Sequence, residues 1–476
     1  MFYFYTILIY MIVLIAVGAI RGRQVATQED FAVAGRKLSV FVLFGTMLAT
    51  WIGTGSIFGN AEKTYQVGIA AIIIPSASIV GILALSFLAG RVRRLKQITI
   101  QDILETRYNA AARLLGAIAL ILAYTTILSY QYRAAGAVLQ LTLPSIDQNT
   151  AIIVAAIFII IYTALAGMYS VAYTDVVMGV TMIIGMLVAM PMFFSKVGGM
   201  DGLAAKLPPS HLEVFGPIPL VEAIGLLLPP CLLILGDANM YQRFFAARSE
   251  GAATKATIAA FFGIAFMETA IIITAWLASG LEPNLDIPGR VIAFAARDHL
   301  PVALGALLLT TIMAIVLSTA IAYLLAPSTV LVRDIYQRFI NPQASEKSIV
   351  WLSRVVVVLL GVVAYWMSRQ SREFLSVAMY AYTIYGASIT PSLLAAFLWK
   401  RATTSGAVCS ILAGTLITVF WKSMKLDVSV PKSLGWNTDI DAVIPAILVS
   451  IAVLVLVSLA GKPPDPAKIA PFEYKK

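Results

Sequence analysis

Two stretches of the chain combine residue types suited to holding a hard cation. The first, "LATWIGTGSIFGNAEKTY" from Leu48 to Tyr65, crowds Gly53, Gly55 and Gly59 around Trp51 at the end of an apolar run. Glycine weakens a helix interior. An unwound turn there frees carbonyl oxygens, the ligand type that hard cations prefer. Close helix packing through the Gly55 and Gly59 spacing is the structural alternative. The second stretch, "AIVLSTAIAY", sets Ser318 beside Thr319, two hydroxyls that either join such a site or bond back to their own helix. Three charged residues also fall within apolar runs: Arg133 in "ILSYQYRAAGAV", Asp175 in "YTDVV" and Glu268 in "FMETAII". Charge at membrane depth is costly and marks function by default. Arg133 suits a planar carboxylate, a structural ion pair with Glu268, or a watery vestibule. Asp175 reads as a structural or coupling acid near the end of its helix.

The residues of ordinary catalysis are missing from this pattern. His211 and His299 are the only histidines, both expected in outer loops, and Cys231 and Cys409 are isolated in apolar runs. They suggest packing rather than a metal site or disulfide framework. No nucleophile and base stand at working spacing, so the chain reads as a protein other than an enzyme.

Composition sets the solvent. Of 476 residues, 60% are hydrophobic and 12% charged, with a mean hydropathy of +0.89. Soluble domains carry roughly twice that charge, so an integral membrane protein is expected. Apolar runs of spanning length number roughly thirteen. The first lacks a basic leader segment and is followed by "RGRQ", which predicts a retained helix rather than a cleaved signal. Most of the 34 basic residues fall on one side, including "RGR", "RVRRLK", Arg107, Arg113, Arg243 and the tail lysines. That side should be cytoplasmic, with the N-terminus outside and the C-terminus inside a multi-pass plasma membrane protein. The net charge of +10 is then a topology signal and a contact for the lipid bilayer, with no nucleic acid required.

A second interruption is expected at Pro229 and Pro230 in "LLLPPCLLILGDANMYQRF", because paired prolines remove two backbone donors. Interrupted segments at matching places in two halves point to an inverted-repeat transporter with a site near the midplane. A single membrane domain is expected: an extra helix and loop at 1–38, a first repeat at 39–194, a second at 195–400 with its preceding outer loop, and two helices with a short tail at 401–476.

The segments "DFAVAGRKLS", "ALAGMYSVAYTDVV", "LGDANMYQRFFAARS", "VRDIYQRF" and "PSLLAAFLWKRATTSGAV" together resemble the sodium:solute symporter family. The resemblance runs from about Asp30 to Val408. Within it, "ATWIGTGSIFGNAEKTY" and "YSVAYTDVV" look most like the high-affinity choline transporter branch. It implies an all-α LeuT-type fold, a 5+5 inverted repeat with one helix before and two after. It also implies a Na+ site made of the Ala49, Ile52 and Ile315 carbonyls with the Ser318 and Thr319 hydroxyls. A second sodium site found in some members would use an acid matching Asp175, but its hydroxyl positions fall on Ile321 and Ala322. One coupling sodium is therefore expected.

For the solute, Trp51 matches a tryptophan of the aromatic box in choline-type members, and quaternary ammonium groups favour such faces. The other tryptophans of that box lack clear matches near Ile127 and Asp237 to Met240. Tyr132 and Tyr382 are candidate replacements, as are Tyr130, Tyr380 and Tyr385, with packing as the structural alternative. Thr54 and Arg133 complete the substrate candidates. The expected function is sodium-coupled import of a small polar organic solute by alternating access, the solute choline-like, zwitterionic, an amino acid or a carboxylate. A sodium channel or uniporter and a transporter-like sensor are the readings from other classes. The oligomeric state is not legible.

Overall fold

The computed structural model describes residues 1–22, 27–216, 218–369, 374–433 and 439–473. Position 23 of "RGR" and the lysines at 475 and 476, used in the charge count, lie outside these residues. Within them the chain is helical, with one isolated bridge between Leu38 and Ala247 and no strand. The helices that frame the site and the bundle are α1 (Phe2–Gly22), α2 (Val40–Trp51), α3 (Ala61–Val67), α4 (Ile73–Arg94), α5 (Ile100–Arg107), α6 (Ala110–Thr142) and α7 (Gln148–Val197). They continue as α8 (Leu220–Gly236), α9 (Ala238–Ala246), α10 (Glu250–Ser279), α11 (Val302–Val330), α12 (Glu346–Met367), α13 (Leu375–Leu398), α14 (Thr404–Ser423) and α15 (Val443–Ala460).

Among the described residues, 11 helices are long and apolar enough to cross a membrane. The thirteen apolar runs map onto them with two mergers. The runs at 39–60 and 67–90 share α2 and the continuous stretch Gly55–Arg94, and those at 150–169 and 173–194 share α7. A straight helix of the 50 residues in α7 would measure about 75 Å, more than twice a hydrocarbon core. It turns at Gly167, whose φ of 62° and ψ of 173° are open in practice only to glycine.

Polar side chains set the helix starts. Ser39, Asn109, Asp147, Ser249 and Thr403 each accept an N–H of the first turn they precede. Thr99 and Asp102 form a reciprocal capping box at α5. The apolar faces then sort by depth. In the stretch containing α11, 89% of the most apolar window is buried, against 22% in α1, so α11 is central and α1 peripheral. Exposed Ile9 and Ile12 on α1 and Trp351, Leu359 and Trp366 on α12 form the kind of apolar surface that lipid covers.

Three arginines counted on the cytoplasmic side lie inside the protein. Arg107, Arg113 and Arg243 are all buried. Arg113 bonds Asp102 at 2.7 Å and Glu105 at 2.5 Å, and also meets Asp334. Arg107 donates to the Lys400 carbonyl at 3.1 Å. Arg243 belongs to the site described next. The sequence count addressed their side of the membrane and not their burial, which depends on partners supplied by other segments.

Candidate functional site

The first interruption falls where the glycines predict it. Helix α2 ends at Trp51, Ile52 leaves helical geometry at φ −71° and ψ 104°, and the chain resumes as a π-helical turn, Gly55–Asn60. Helix α11 supplies partners for the carbonyls this frees. Ser318 Oγ donates to the Ala49 carbonyl at 2.6 Å and lies 3.2 Å from the Ile315 carbonyl. Thr319 Oγ1 lies 3.1 Å from the Ile52 carbonyl and 3.3 Å from that of Thr50. The five residues named from the sequence thus fall into two adjoining groups, Ser318 with Ala49 and Ile315, and Thr319 with Ile52. Gly53 permits the approach, since a Cβ there would stand 2.7 Å from Thr319 Oγ1.

The second interruption lies further along than the prolines. Pro229 and Pro230 are inside α8, which continues to Gly236 and breaks at Asp237, with φ −62° and ψ 115°. The prolines take the i+4 donors from the Gly225 and Leu226 carbonyls without ending the helix, and α13 meets carbonyls nearer its end. Thr390 Oγ1 donates to the Leu232 carbonyl and Tyr385 OH to that of Gly236, both at 2.7 Å. Asp237 then caps α9 by accepting the Met240 N–H at 2.9 Å, and takes hydroxyl protons from Tyr124 at 3.0 Å and Tyr323 at 3.1 Å. Asp237 stood only as a sequence landmark; nothing local signalled two tyrosines from α6 and α11.

Beside the first interruption lies a cavity with about 490 Å³ of empty space, counting the part open to solvent. Trp51, Gly53, Gly55 and Ser56 wall it from the first interruption and Pro230 from α8. Facing them are Tyr130 and Gln131 of α6, Glu268 of α10, Thr319 and Tyr323 of α11, and Tyr382 of α13. Of the substrate candidates, Trp51 and Tyr382 line the cavity, while Thr54, Tyr132 and Arg133 are not among its lining residues. Thr54 is buried against Gln131, and its N–H lies 3.3 Å from Gln131 Oε1. Tyr132 approaches the α12 backbone, its hydroxyl 3.2 Å from where a Cβ on Gly361 would stand. The Arg133 guanidinium stacks 5.1 Å from the centre of the Phe374 ring. No Arg133–Glu268 ion pair forms: Glu268 accepts instead from Ser56 Oγ at 2.7 Å and Asn60 Nδ2 at 3.0 Å. Depth alone suggested that pair, but the helix faces are set by the wide π turn, which aims Ser56 and Asn60 at α10. Tyr130 bonds Tyr382 hydroxyl to hydroxyl at 3.1 Å, and Tyr385 is engaged with Gly236.

Asp175 is fully buried beside the first interruption. It accepts from Thr46 Oγ1 at 2.5 Å and pairs with Arg243 Nη2 at 3.3 Å. Arg243 also donates to Thr46 Oγ1 at 3.0 Å, to the Asn239 carbonyl at 3.0 Å, and to Thr50 Oγ1. Helices α2, α7 and α9 are thereby tied at one point. Ile321 and Ala322 are also buried and carry no side-chain oxygen to offer an ion.

Two interrupted helices meeting at a central cavity, with freed carbonyls facing hydroxyls on a buried helix, define a secondary transporter of the LeuT-type fold. Comparison with solved structures agrees on the fold: a Na+-coupled sialic acid symporter, substrate-bound and outward-open, superposes with a TM-score of 0.80 at 16% identity, over 97% of this chain and 98% of that one. A nucleobase-cation-symport-1 family transporter with bromovinylhydantoin bound gives 0.63 at 12% identity, over 93% and 97%. The model of the sodium:solute symporter family matches residues 31–414, and the chain belongs to that family. Among its relatives, the sodium/proline symporter of Haemophilus influenzae is 26% identical, covering 96% of this chain and 94% of the relative. High affinity choline transporter 1 of Homo sapiens is also 26% identical, covering 82% and 70%. The protein is thus a multi-pass membrane transporter with sodium and a small solute as partners, and not an enzyme.

Proposed function

We propose that this protein imports a small polar organic solute across the plasma membrane by coupling it to one Na+, through alternating access. One observation carries the reading: Thr319 and Gly53 belong both to the cluster of carbonyls and hydroxyls at the first interruption and to the wall of the cavity. A cation held by the Ala49, Ile52 and Ile315 carbonyls with the Ser318 and Thr319 hydroxyls would fix α2 against α11. The same contact shapes the solute wall, so occupancy of one site stabilises the other. Neutral oxygens suit Na+, a hard cation needing no formal countercharge.

Coupling to a single ion is supported by the Asp175 cluster. The Arg243 guanidinium is a tethered positive charge against the one acid that a further sodium site would use. The repeats of this reading are 39–194 and 195–400, the second including its preceding outer loop, and the first spanning helix of each is the interrupted one, with the C-terminus cytoplasmic. Release follows when sodium leaves to the low-sodium side and α2 separates from α11.

The test is uptake into proteoliposomes under an inward sodium gradient, with choline, betaine, proline, other amino acids and small carboxylates as candidates. Sodium-driven accumulation of one solute, with a sodium-to-solute ratio near one, is expected. Sodium flux that ignores every solute would favour a channel or uniporter.

A further inference from the structure

Glu268 is the charge in the cavity wall that the sodium reading does not use. It is 2% exposed, both its oxygens face the first interrupted helix, and its hydrogen-bond partners, Ser56 and Asn60, are neutral. Among the described residues it forms no ion pair, in contrast to Asp175, which has Arg243. Two neutral donors satisfy the oxygens' hydrogen bonding but leave the charge uncompensated, an arrangement that is costly at depth. A bound positive charge would remove that cost.

A second observation points the same way. Beyond the cavity lies a vestibule with about 960 Å³ of empty space, counting the part open to solvent. Its wall carries four acids, Glu222, Asp427, Asp439 and Asp441, and one lysine, Lys422. Lys63 pairs with Glu222 at 2.5 Å and Lys422 with Asp427 at 2.7 Å, so acids still outnumber bases there. Ile74, Leu226 and Met379 pack together between the two spaces: Ile74 and Met379 wall the cavity, and Leu226 and Met379 wall the vestibule. Acids at the mouth, an apolar constriction and a carboxylate behind it form a route that concentrates cations and offers them a counter-ion.

We propose that the transported solute carries a positively charged nitrogen and that Glu268 receives it in the cavity. The proposal rests on the transporter reading above but not on its sodium site. It applies equally to a protonated amine or amino acid, which would donate N–H to the carboxylate, and to a quaternary ammonium, which would approach it without a hydrogen bond. Trp51 supplies an aromatic surface in the same wall for the second case.

The experiment measures binding to purified full-length protein in sodium, pairing each solute that bears a charged nitrogen with a counterpart in which carbon replaces that nitrogen. Proline is matched with cyclopentanecarboxylate, and choline with 3,3-dimethylbutan-1-ol. Wild type is expected to prefer one nitrogen-bearing solute over its counterpart by about 100-fold, as a charge-assisted contact implies. Glu268→Gln should reduce that preference to under about tenfold, and Glu268→Asp should keep the preference with weaker binding. The pair that responds separates an N–H donor from a quaternary group. Unchanged preference in Glu268→Gln, tighter binding of a counterpart, or binding of neither nitrogen-bearing solute by folded wild type overturns the proposal. Stabilisation by sodium alone is measured in parallel on wild type and Glu268→Gln. Its presence in both upholds the sodium reading whatever the solute result, and its absence from both counts against sodium coupling alone.

Discussion

Replacing Ser318 by Ala and Thr319 by Val removes two hydroxyls while keeping the volume of each side chain close to native. In the structure these hydroxyls lie 2.6 Å from the Ala49 carbonyl and 3.1 Å from that of Ile52. If they ligate sodium, each is comparable with a polar contact to a charged group, about 1.5–3 kcal/mol. Together they contribute about 3–6 kcal/mol to ion affinity, or roughly a 10²- to 10⁴-fold rise in the sodium concentration needed for half-saturation. The assay is sodium titration of thermal stability in purified protein, with potassium holding ionic strength constant, followed by sodium dependence of uptake. Folding is monitored in potassium alone, because the freed carbonyls also lose partners. Ser410→Ala is the control: it breaks the buried 2.9 Å hydroxyl contact with Ser450 between α14 and α15, remote from the interruption. It should lower stability slightly without altering the sodium midpoint. A double variant that folds and keeps its midpoint within about twofold of wild type would refute the assignment, since that ratio corresponds to only about 0.4 kcal/mol.

Three other outcomes are expected. Asp175→Asn leaves the Arg243 guanidinium buried with neutral partners only and should cost about 3–5 kcal/mol, part of which returns when Arg243→Met is added. A double-mutant cycle of denaturant stability measures this, and an Arg243→Met addition that brings further loss instead would show that the pair is not the source. Gly167→Ala must adopt a glycine-only backbone with its Cβ 3.0 Å from Phe31, so a loss of about 1–3 kcal/mol should appear as a lower melting temperature. Glu105 lies outside the spanning segments, and the hydrogen bond from Arg338 holds its carboxyl below its ordinary value of 4.5. Its contribution is therefore present above that value and lost as pH falls through the lower folded-state value. Glu105→Gln should narrow the stability difference between neutral and acid pH, and an unaltered acid limb would discount the bond.

Much of the architecture follows from local chemistry that the sequence displays directly. A spanning helix is a run of apolar residues whose length the bilayer dictates, so membrane class and approximate helix positions are readable residue by residue. The same holds at Ile52, because glycines lower the local cost of leaving a helix wherever the rest of the chain goes. Family motifs then placed Ser318 and Thr319 opposite that break, across a sequence separation that no periodicity could bridge. Other features depend on neighbours distant in the chain. The prolines in α8 look like the break, yet the helix runs on past them to Gly236, whose carbonyl meets Tyr385 of α13. Arg243 looks like a loop charge until Asp175, Thr46 and Thr50 surround it. Glu268 sits at a depth that suggested Arg133, but rotation of the helices turned it to Ser56 and Asn60 instead. The sequence by itself determined which segments enter the membrane and where the backbone can yield, because those are properties of short runs. Only the tertiary structure decided which buried charges meet, because pairing depends on the facing of helices packed from remote parts of the chain.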